Sequence, residues 1–442
     1  MKTRDNISAS VLYQLFLRPF TPEGTLSAAA GLLEHIRSLG VDIVYLCPVF
    51  RQDDDPRTEY WSDRQIKSGL GNPKNPYRIQ DYFHVDPEYG TDGDLRDFIE
   101  KAHRLELRVM LDLVYYHCGP SAVFLEKHPD FVKRDASGSV RYGSWHFPEL
   151  NFESQKLREY LWENMEFFVR EYDVDGYRCD VGDAVPLSFW EEGRKRLETI
   201  KPDILMLNEG TKPEYLGAFD VNYDFNWSFR LPQVCAGDCT VEELREYWGE
   251  IHSRLPAGGR VLRSMDNHDI AHDSGDRRWE DRIGSRAVEA CLTVNFTLDG
   301  VPFLYNGYEI ADNGPHSIYG NRFYGKEFLI NWSRTLTSNG QERLEFVRGL
   351  CSLRHAQPAL VDGDVEWIPV RAEGVAAYLR RSPEQTLAVL VNLREKPASL
   401  SVTLPNGVGM PTALWQRDAS CQRGVEGMQV DLDGYGFLVM EI

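Results

Sequence analysis

The sequence predicts an α/β fold: a (β/α)8 TIM barrel with a small excursion domain after the third strand and a C-terminal antiparallel β-sandwich. Short apolar segments alternate with amphipathic helical segments over most of the chain, and eight such strands can be counted before Pro358. Beyond Pro358 the pattern changes to short alternating strands separated by turn residues. Repeated βα units joined by right-handed crossovers give an open sheet or a closed barrel, and eight strands favour the barrel.

The predicted strands and helices of the barrel alternate along most of the chain. Strands are predicted at 11–17, 41–46, 108–114, the segment ending at Asp180, 204–207, 219–222, 260–264 and 301–305. Helices are predicted at 28–39, 92–105, 155–172, 187–200, 241–252, 282–295 and 343–355. The catalytic barrel is therefore expected to comprise 1–117 and 155–360.

Two further domains complete the predicted organisation. The segment 118–154 is too long for a plain connection and is rich in proline, glycine and charged residues, so we predict a small domain over one face of the barrel. From 361 to 442, stretches such as TLAVLVNL and FLVMEI alternate with turn residues, which is typical of a β-sandwich. The loop 52–75 is expected to shape the barrel mouth, with 53–55 as a surface acidic run.

The composition limits the possible partners. The 442 residues carry a formal net charge of −19, which argues against nucleic acid or an anionic membrane as the main partner. A neutral ligand is compatible with this charge. The 21 Tyr, 21 Phe and 10 Trp residues suit a ligand with flat apolar faces, such as a sugar ring, although most of them will pack in the core. No segment is long enough to cross a membrane.

The cysteines and the N-terminus predict a cytoplasmic protein. Eight cysteines are scattered along the chain, and the closest pair in sequence is Cys235 and Cys239. Such spacing is typical of reduced thiols in a cytosolic protein. The first ten residues are polar and run directly into an apolar strand, without the pattern of a signal peptide.

The segment 175–183, DGYRCDVGD, ends an apolar strand with an arginine and a carboxylate two residues apart. Side chains alternate along a strand, so Arg178 and Asp180 point to the same side. A nearby cation favours the ionised form of a carboxylate, and such an aspartate can act as a nucleophile. The alternative is a structural ion pair at the end of a strand.

Polar residues also follow other predicted strands. His117 follows the third strand, Glu209 the fifth and Asn267-His268-Asp269 the seventh. The carboxyl ends of barrel strands meet at one mouth, so these side chains should converge there with Asp180. Two carboxylates facing each other across a pocket are what glycoside hydrolysis needs. The alternative is a satisfied network of structural ion pairs.

These segments resemble the α-amylase family, glycoside hydrolase family 13, and the resemblance extends over essentially the whole chain. The signatures occur in the family's order. They are 112–117 (DLVYYH), 176–180 (GYRCD), Glu209 and 267–269 (NHD), supported by 82–91, 148–151 (PELN) and 301–309.

The resemblance implies a retaining α-glycosidase that acts on α-linked glucosides or short α-glucans through a covalent glycosyl-enzyme intermediate, without a cofactor. Asp180 would be the nucleophile, Glu209 the acid/base and Asp269 the stabiliser of the transition state. A transglycosylase, or an enzyme of the family acting on sucrose-type or trehalose-type disaccharides, would share this intermediate. A catalytically inactive carbohydrate-binding relative is the remaining alternative.

The resemblance also implies a set of side chains that hold the reacting sugar. Arg178, His117 and His268 would contact it, and Tyr77 would be its stacking platform. The histidines could instead be structural hydrogen-bonding groups, and Tyr77 could be ordinary core packing. The sequence makes no prediction of oligomeric state.

The chain departs from the family's pattern at several positions. Tyr116 stands where many members have a calcium-binding asparagine, so no metal is predicted at that site. Asp183 and Ala184 replace the Lys-His pair of many secreted amylases, which puts classical endo action in doubt. Gly210-Thr211 lacks the tryptophan common after the acid/base, so an aromatic wall is expected to be missing there.

Arg78 is the remaining departure, because many exo-acting α-glucosidases of the family have aspartate directly after the stacking tyrosine. A guanidinium cannot accept a hydrogen bond from a hydroxyl, and it favours carboxylate or phosphate. Two hypotheses follow: Arg78 pairs with a local acid such as Asp81 or Asp183, or it is a substrate-binding residue that recognises an anionic or modified sugar.

Overall fold

The barrel forms the centre of the structure, a computed structural model that describes residues 7–270, 273, 275–402, 411–423 and 427–442. Within these residues eight parallel strands close into a barrel, so the prediction of a (β/α)8 barrel is confirmed. The barrel strands, numbered first to eighth below, are Leu12–Leu15, Ile43–Leu46, Arg108–Leu113, Gly176–Cys179, Leu205–Asn208, Val221–Asn222, Arg260–Arg263 and Val301–Tyr305.

The barrel strands are buried on both faces, which explains their continuous apolar sequences. Met110 of the third strand aligns with Gly176 of the fourth, and Gly176 aligns with Leu205 of the fifth. A Cβ atom on Gly176 would lie 2.5 Å from the carbonyl oxygen of Leu205, so only glycine fits here. This close packing fixes the fourth strand in its register with its neighbours. The fourth strand carries Arg178 and leads into Asp180.

The longer helices lie between the barrel strands or after the last one, and all but Phe225–Ala236 match helices that the sequence predicts, with somewhat different bounds. They are Asp92–Arg104, Gln155–Tyr172, Leu187–Ile200, Phe225–Ala236, Val241–Arg254, Ser285–Thr297 and Ser338–Ala356. Thr91 with Asp94, and Thr240 with Glu243, form reciprocal capping boxes that fix two of the helix starts.

Two helix predictions were wrong in detail. The segment predicted as one helix at 28–39 forms two short helices, Leu26–Ala30 and Leu33–Ser38. The segment predicted at 282–295 is divided between Trp279–Ile283 and Ser285–Thr297. Gly284 separates this second pair with a φ of +82°, a left-handed conformation that favours glycine and cannot continue an α-helix.

The loops after the second and third barrel strands build the barrel mouth. Phe50–Gln52 and Ile79–Val85 form a two-stranded antiparallel ribbon, and the short helix Asp63–Lys67 lies between them. Within 118–154 the described structure consists of turns, isolated bridges and the 3-10 helix Pro129–Phe131. This segment attaches to the ribbon through Gly119 N–H, which donates to the carbonyl oxygen of Ile79. The predicted domain bounds remain a prediction.

The C-terminal region is an antiparallel sheet, as the sequence predicts. Its strands are Asp364–Trp367, Val375–Arg381, Thr386–Asn392, Ala398–Val402, Thr412–Arg423 and Met428–Glu441. Ala376 and Tyr378 belong to the same apolar cluster as the barrel core, whereas Val375 and Ala377 face a separate core within the sheet. Because side chains alternate along this strand, those on one face pack against the barrel and those on the other fill the core of the C-terminal sheet. No helix in the described ranges has the length and apolar character needed to cross a bilayer.

Candidate active site

A cavity of about 350 Å³ opens at the carboxyl ends of the barrel strands. It is lined by most of the residues that the sequence predicts for the site, namely Tyr77, His117, Asp180, Glu209, His268 and Asp269. Each of them belongs to, or directly follows, a loop or strand that reaches the barrel mouth. The barrel topology therefore brings together residues that are up to 192 positions apart in the printed sequence.

Arg178 lies beneath the cavity and is fully buried. Its Nη1 atom donates to both carboxylate oxygens of Asp112, at 2.8 and 3.0 Å, and to Asp180 Oδ1 at 2.8 Å. Its Nη2 atom contacts the carboxylate of Glu209. Asp112 also accepts a hydrogen bond from Tyr45 Oη at 2.5 Å, so it acts as a buried anchor for the guanidinium. One cation thus fixes the carboxyl groups of two neighbouring strands at the cavity floor.

The carboxyl groups of Asp180 and Glu209 are held next to each other by the guanidinium of Arg178. Burial raises the pKa of Asp180 to about 6, although Arg178 opposes the shift. Burial also raises the pKa of Glu209 well above its usual range, and the nearby charge of Asp180 adds to this effect. The two shifts favour a protonated Glu209 beside an ionised Asp180.

Val181, directly after Asp180, holds a left-handed backbone conformation with a φ of +44°. This conformation is costly for a β-branched residue and persists only where its surroundings enforce it. The Val181 N–H donates to Glu209 Oε2 at 2.9 Å. The turn after the fourth strand thereby orients the carboxyl group that the fifth strand supplies.

Asp269 also lines the cavity. Burial disfavours its charge, but His268, Arg64 and Arg178 outweigh that effect and lower its pKa to about 2. Burial lowers the pKa of His268 to about 4, so its imidazole is neutral near neutral pH. The His268 ring lies nearly parallel to Tyr77, with centroids 5.2 Å apart, and the Tyr77 hydroxyl lies 2.6 Å from His268 Nε2.

His117 is buried against the ring of Phe147, and Trp145 packs beside it with ring centroids 5.4 Å apart. Its Nε2 atom lies 2.8 Å from the carbonyl oxygen of Tyr77, and a carbonyl can only accept, so Nε2 carries a proton. Burial lowers the pKa of His117 to about 4. The ring is therefore neutral near neutral pH, with its tautomer fixed by the backbone of Tyr77.

Arg78 does not point into the cavity. Its fully buried guanidinium donates to the carbonyl oxygens of Tyr60, Asp53, Asp55 and Pro73 at 2.7–3.0 Å. The acid beside it is Asp53, at 3.6 Å, rather than Asp81 or Asp183. The expectation that Arg78 binds substrate therefore disagrees with its position, because every contact that it makes organises the loop 52–75. Asp53 is itself fully buried, so the prediction of a surface acidic run was wrong for this residue.

The other departures from the family's pattern have local explanations. The Tyr116 hydroxyl donates to Glu149 Oε1 at 3.2 Å. Asp183 accepts hydrogen bonds from the backbone N–H groups of Thr211 and Lys212 and so holds the loop that follows Glu209. A Cβ atom on Gly210 would lie 2.2 Å from the Asp183 carboxyl carbon, so no side chain fits there. The prediction that no calcium binds near Tyr116 remains a prediction.

Arg64, Trp145 and Tyr319 are among the cavity residues that sequence reasoning missed. Arg64 and Tyr319 lie in long loops without periodic pattern, and Trp145 lies in the segment 118–154. Trp145 is 39% exposed and supplies an aromatic wall from the third loop, although the position after Glu209 has none. An exposed aromatic in a glycine-rich and serine-rich stretch, YGSWHF, is the signal that could have identified it.

Comparisons with known proteins agree with this geometry. The model of the alpha amylase catalytic domain matches residues 4–137 and 139–348, and that of the maltogenic amylase C-terminal domain matches 365–439. Alpha-amylase MalA of Haloarcula japonica is 29% identical over 421 residues, which cover 90% of this chain and 57% of that protein. The chain thus spans little more than half the length of this relative.

For two further similar proteins, the match covers a larger share of the other protein's length. The maltogenic alpha-amylase of Bacillus acidopullulyticus is 23% identical, and the match covers 98% of this chain and 78% of that protein. The crystal structure of the maltogenic alpha-amylase AmyB from Thermotoga neapolitana has a TM-score of 0.80 at 23% identity, and the match covers 99% of both chains. At this level of identity the structural match supports the fold.

Proposed function

The chain belongs to the α-amylase family of glycoside hydrolases, and on this premise we propose that it is a retaining α-glycosidase that hydrolyses α-linked glucans. The observation that carries this proposal is that one guanidinium, that of Arg178, holds the carboxyl groups of both Asp180 and Glu209. An inverting enzyme needs room for a water molecule between its two carboxyl groups, whereas a retaining enzyme keeps them close. Two carboxyl groups bound by one guanidinium lie close together, as the retaining mechanism requires.

The ionisation states fit a double displacement. Ionised Asp180 attacks the anomeric carbon while Glu209 gives its proton to the departing glycosidic oxygen, which forms a covalent glycosyl-enzyme and a free alcohol. Glu209, now a carboxylate, removes a proton from water, and the resulting hydroxide displaces Asp180 from the sugar. Asp269 remains ionised throughout and stabilises the positive charge that develops on the sugar ring.

The remaining cavity residues would position the sugar. Tyr77 offers its ring face and His117 offers a neutral polar edge, while His268 lines the site with both ring nitrogens engaged, by Tyr77 Oη and Gln14 Nε2. Sugar rings stack on aromatic faces, and Trp145 provides a second, more exposed face at the opening. Glucans of α-linked glucose are proposed because several similar proteins are named maltogenic amylase or cyclomaltodextrinase.

A cytoplasmic location is part of the proposal. All eight cysteines are free thiols in the structure, and seven of them are buried. Reduced cysteines are typical of cytosolic proteins. A similar protein of Bacillus subtilis, 26% identical over 369 residues, is named an intracellular maltogenic amylase.

The stereochemistry of the first product tests the mechanism. Hydrolysis of maltoheptaose followed by proton NMR should show the α-anomer first, before mutarotation, because two inversions restore the configuration. Initial formation of the β-anomer would contradict the assignment of Asp180 as nucleophile. A complete lack of hydrolysis on maltoheptaose, maltose and nitrophenyl α-glucoside would contradict the proposed function.

We expect the activity to depend on pH with a bell-shaped profile. The value of kcat/KM should fall as pH drops through about 6, because protonated Asp180 cannot attack. It should fall again on the alkaline side, where Glu209 loses its proton. A profile of kcat/KM on nitrophenyl α-maltoside checks this expectation. Activity that stays constant well below the pKa of Asp180 would contradict it.

Replacing Glu209 by Gln should reduce kcat by roughly 10²–10⁴-fold on maltose, because an amide cannot give a proton to the glycosidic oxygen. The loss in kcat/KM, which reports the first displacement, should be much smaller on α-glucosyl fluoride, whose leaving group departs without a proton. The values of kcat/KM on the two substrates check this prediction. An equal loss on both would instead show that Glu209 supports the site in another way.

A further inference from the structure

Arg64 enters the cavity from the short helix Asp63–Lys67 in the loop after the second barrel strand. Its Nη1 atom lies 2.9 Å from Asp269 Oδ1, and its Nε atom lies 2.8 Å from Asp273 Oδ1. Its Nη2 atom also donates to the carbonyl oxygen of His268 at 3.4 Å. The guanidinium is thus held by the loop after the seventh strand and only 21% of its side chain is exposed.

The loop after the eighth strand joins the same wall. The Ser317 hydroxyl donates to the Asp273 carboxylate, and the Tyr319 hydroxyl lies 2.9 Å from Ser62 Oγ. The carbonyl oxygen of Tyr319 accepts from Asn72 Nδ2 at 2.8 Å. Three loops are therefore tied together at one end of the cavity by buried polar contacts, which makes this end a fixed wall.

The position of the wall follows from the proposed chemistry. The leaving group departs beside Glu209, so the reducing-end part of a glucan lies on that side. Arg64 instead contacts Asp269, the carboxylate proposed to face the reacting sugar ring, and from this contact we infer that Arg64 lies on the non-reducing side of that ring. The cavity volume of about 350 Å³ is also near the lower limit of the roughly 300–1,000 Å³ typical of small-ligand sites.

We propose that Arg64, with Asp273 and Tyr319, closes the cavity beyond the reacting sugar and makes this protein an exo-acting enzyme that releases single glucosyl units. This inference rests on the proposed function and specifies its substrate class: α-glucans with a free non-reducing end. A cyclic glucan, or a chain whose terminal sugar carries a bulky group, cannot place its next unit through the wall.

A pair of heptaosides tests the proposal: nitrophenyl maltoheptaoside and its analogue with a 4,6-O-ethylidene block on the non-reducing sugar. The wild type should cleave the blocked substrate at least about 100-fold more slowly, because a pocket that fits one group sterically rejects a larger one. Glucose should be the first small product from the free chain. β-Cyclodextrin, which has no chain end, should be cleaved as slowly as the blocked substrate.

Two variants test whether Arg64 is part of a steric wall or only a counter-charge to Asp269. R64A and Y319A should each raise the ratio of blocked to free cleavage by about tenfold or more, and maltose or longer products should appear. Tyr319 contacts Ser62 through its hydroxyl and Asn72 through its carbonyl oxygen, so its variant also covers the case in which R64A loses activity through Asp269. A fall in both rates with an unchanged ratio in the two variants would overturn the proposal.

Cleavage rates of the wild type alone distinguish failure of this inference from failure of the proposed function. Cleavage of blocked, cyclic and free substrates at similar rates would overturn the exo-acting wall and leave the glycosidase proposal intact. Inactivity on every α-glucan and on nitrophenyl α-glucoside would overturn both.

Discussion

Replacing Asp180 by Asn is expected to lower kcat on maltoheptaose by roughly four orders of magnitude or more, as found when a covalent nucleophile is removed. An amide cannot form the glycosyl ester, so the double displacement cannot begin. The fold should persist, because asparagine retains an oxygen that accepts from Arg178 Nη1 and fills the same volume. Initial rates and thermal unfolding, measured on the same preparation, check both parts.

Asp183→Asn is a matched control for this variant. Asp183 lies three residues further along the chain and binds backbone N–H groups outside the reacting pair. Its loss should loosen the loop after Glu209 and reduce the rate far less than the loss of Asp180. If the two variants lose activity to a similar extent, the effect comes from the strand end as a structural unit and Asp180 is not the nucleophile.

The sequence predicts the barrel well because its strands are continuous apolar runs whose carboxyl ends must meet. The side chains of Asp180, Glu209 and Asp269 could therefore be placed at one mouth before any distance was known. The Phe225–Ala236 helix was missed, and it contains Pro232, a residue that normally interrupts a helical pattern. The sequence therefore predicts the position of the site at the strand ends more reliably than it predicts the bounds of individual helices.

The contacts of the loops could not be predicted in the same way. Arg64 pairs with Asp269 across 205 positions, and no local periodicity connects them. Arg78 directly follows Tyr77, yet its guanidinium points to four backbone carbonyl oxygens. Sequence neighbourhood indicates that an arginine is near the site, but the fold of an irregular loop decides what its side chain contacts.

Arg178→Met is expected to destabilise the protein by about 3–5 kcal/mol, because it leaves buried carboxylates without their cation. Arg178 is fully buried and contacts Asp112, Asp180 and Glu209. Its charge also lowers the pKa of Asp180, so its loss should raise that pKa and move the acidic limb of the activity profile to higher pH. Urea unfolding and the pH dependence of kcat/KM measure the two effects separately.

A double-mutant cycle with Asp112→Asn identifies the source of this destabilisation. Asp112 anchors the guanidinium from below and takes no direct part in the proposed chemistry. If the cost of Arg178→Met arises from an unpaired buried charge, removing the charge of Asp112 as well should recover about 1 kcal/mol or more. Strictly additive effects would show instead that the methionine fails through packing.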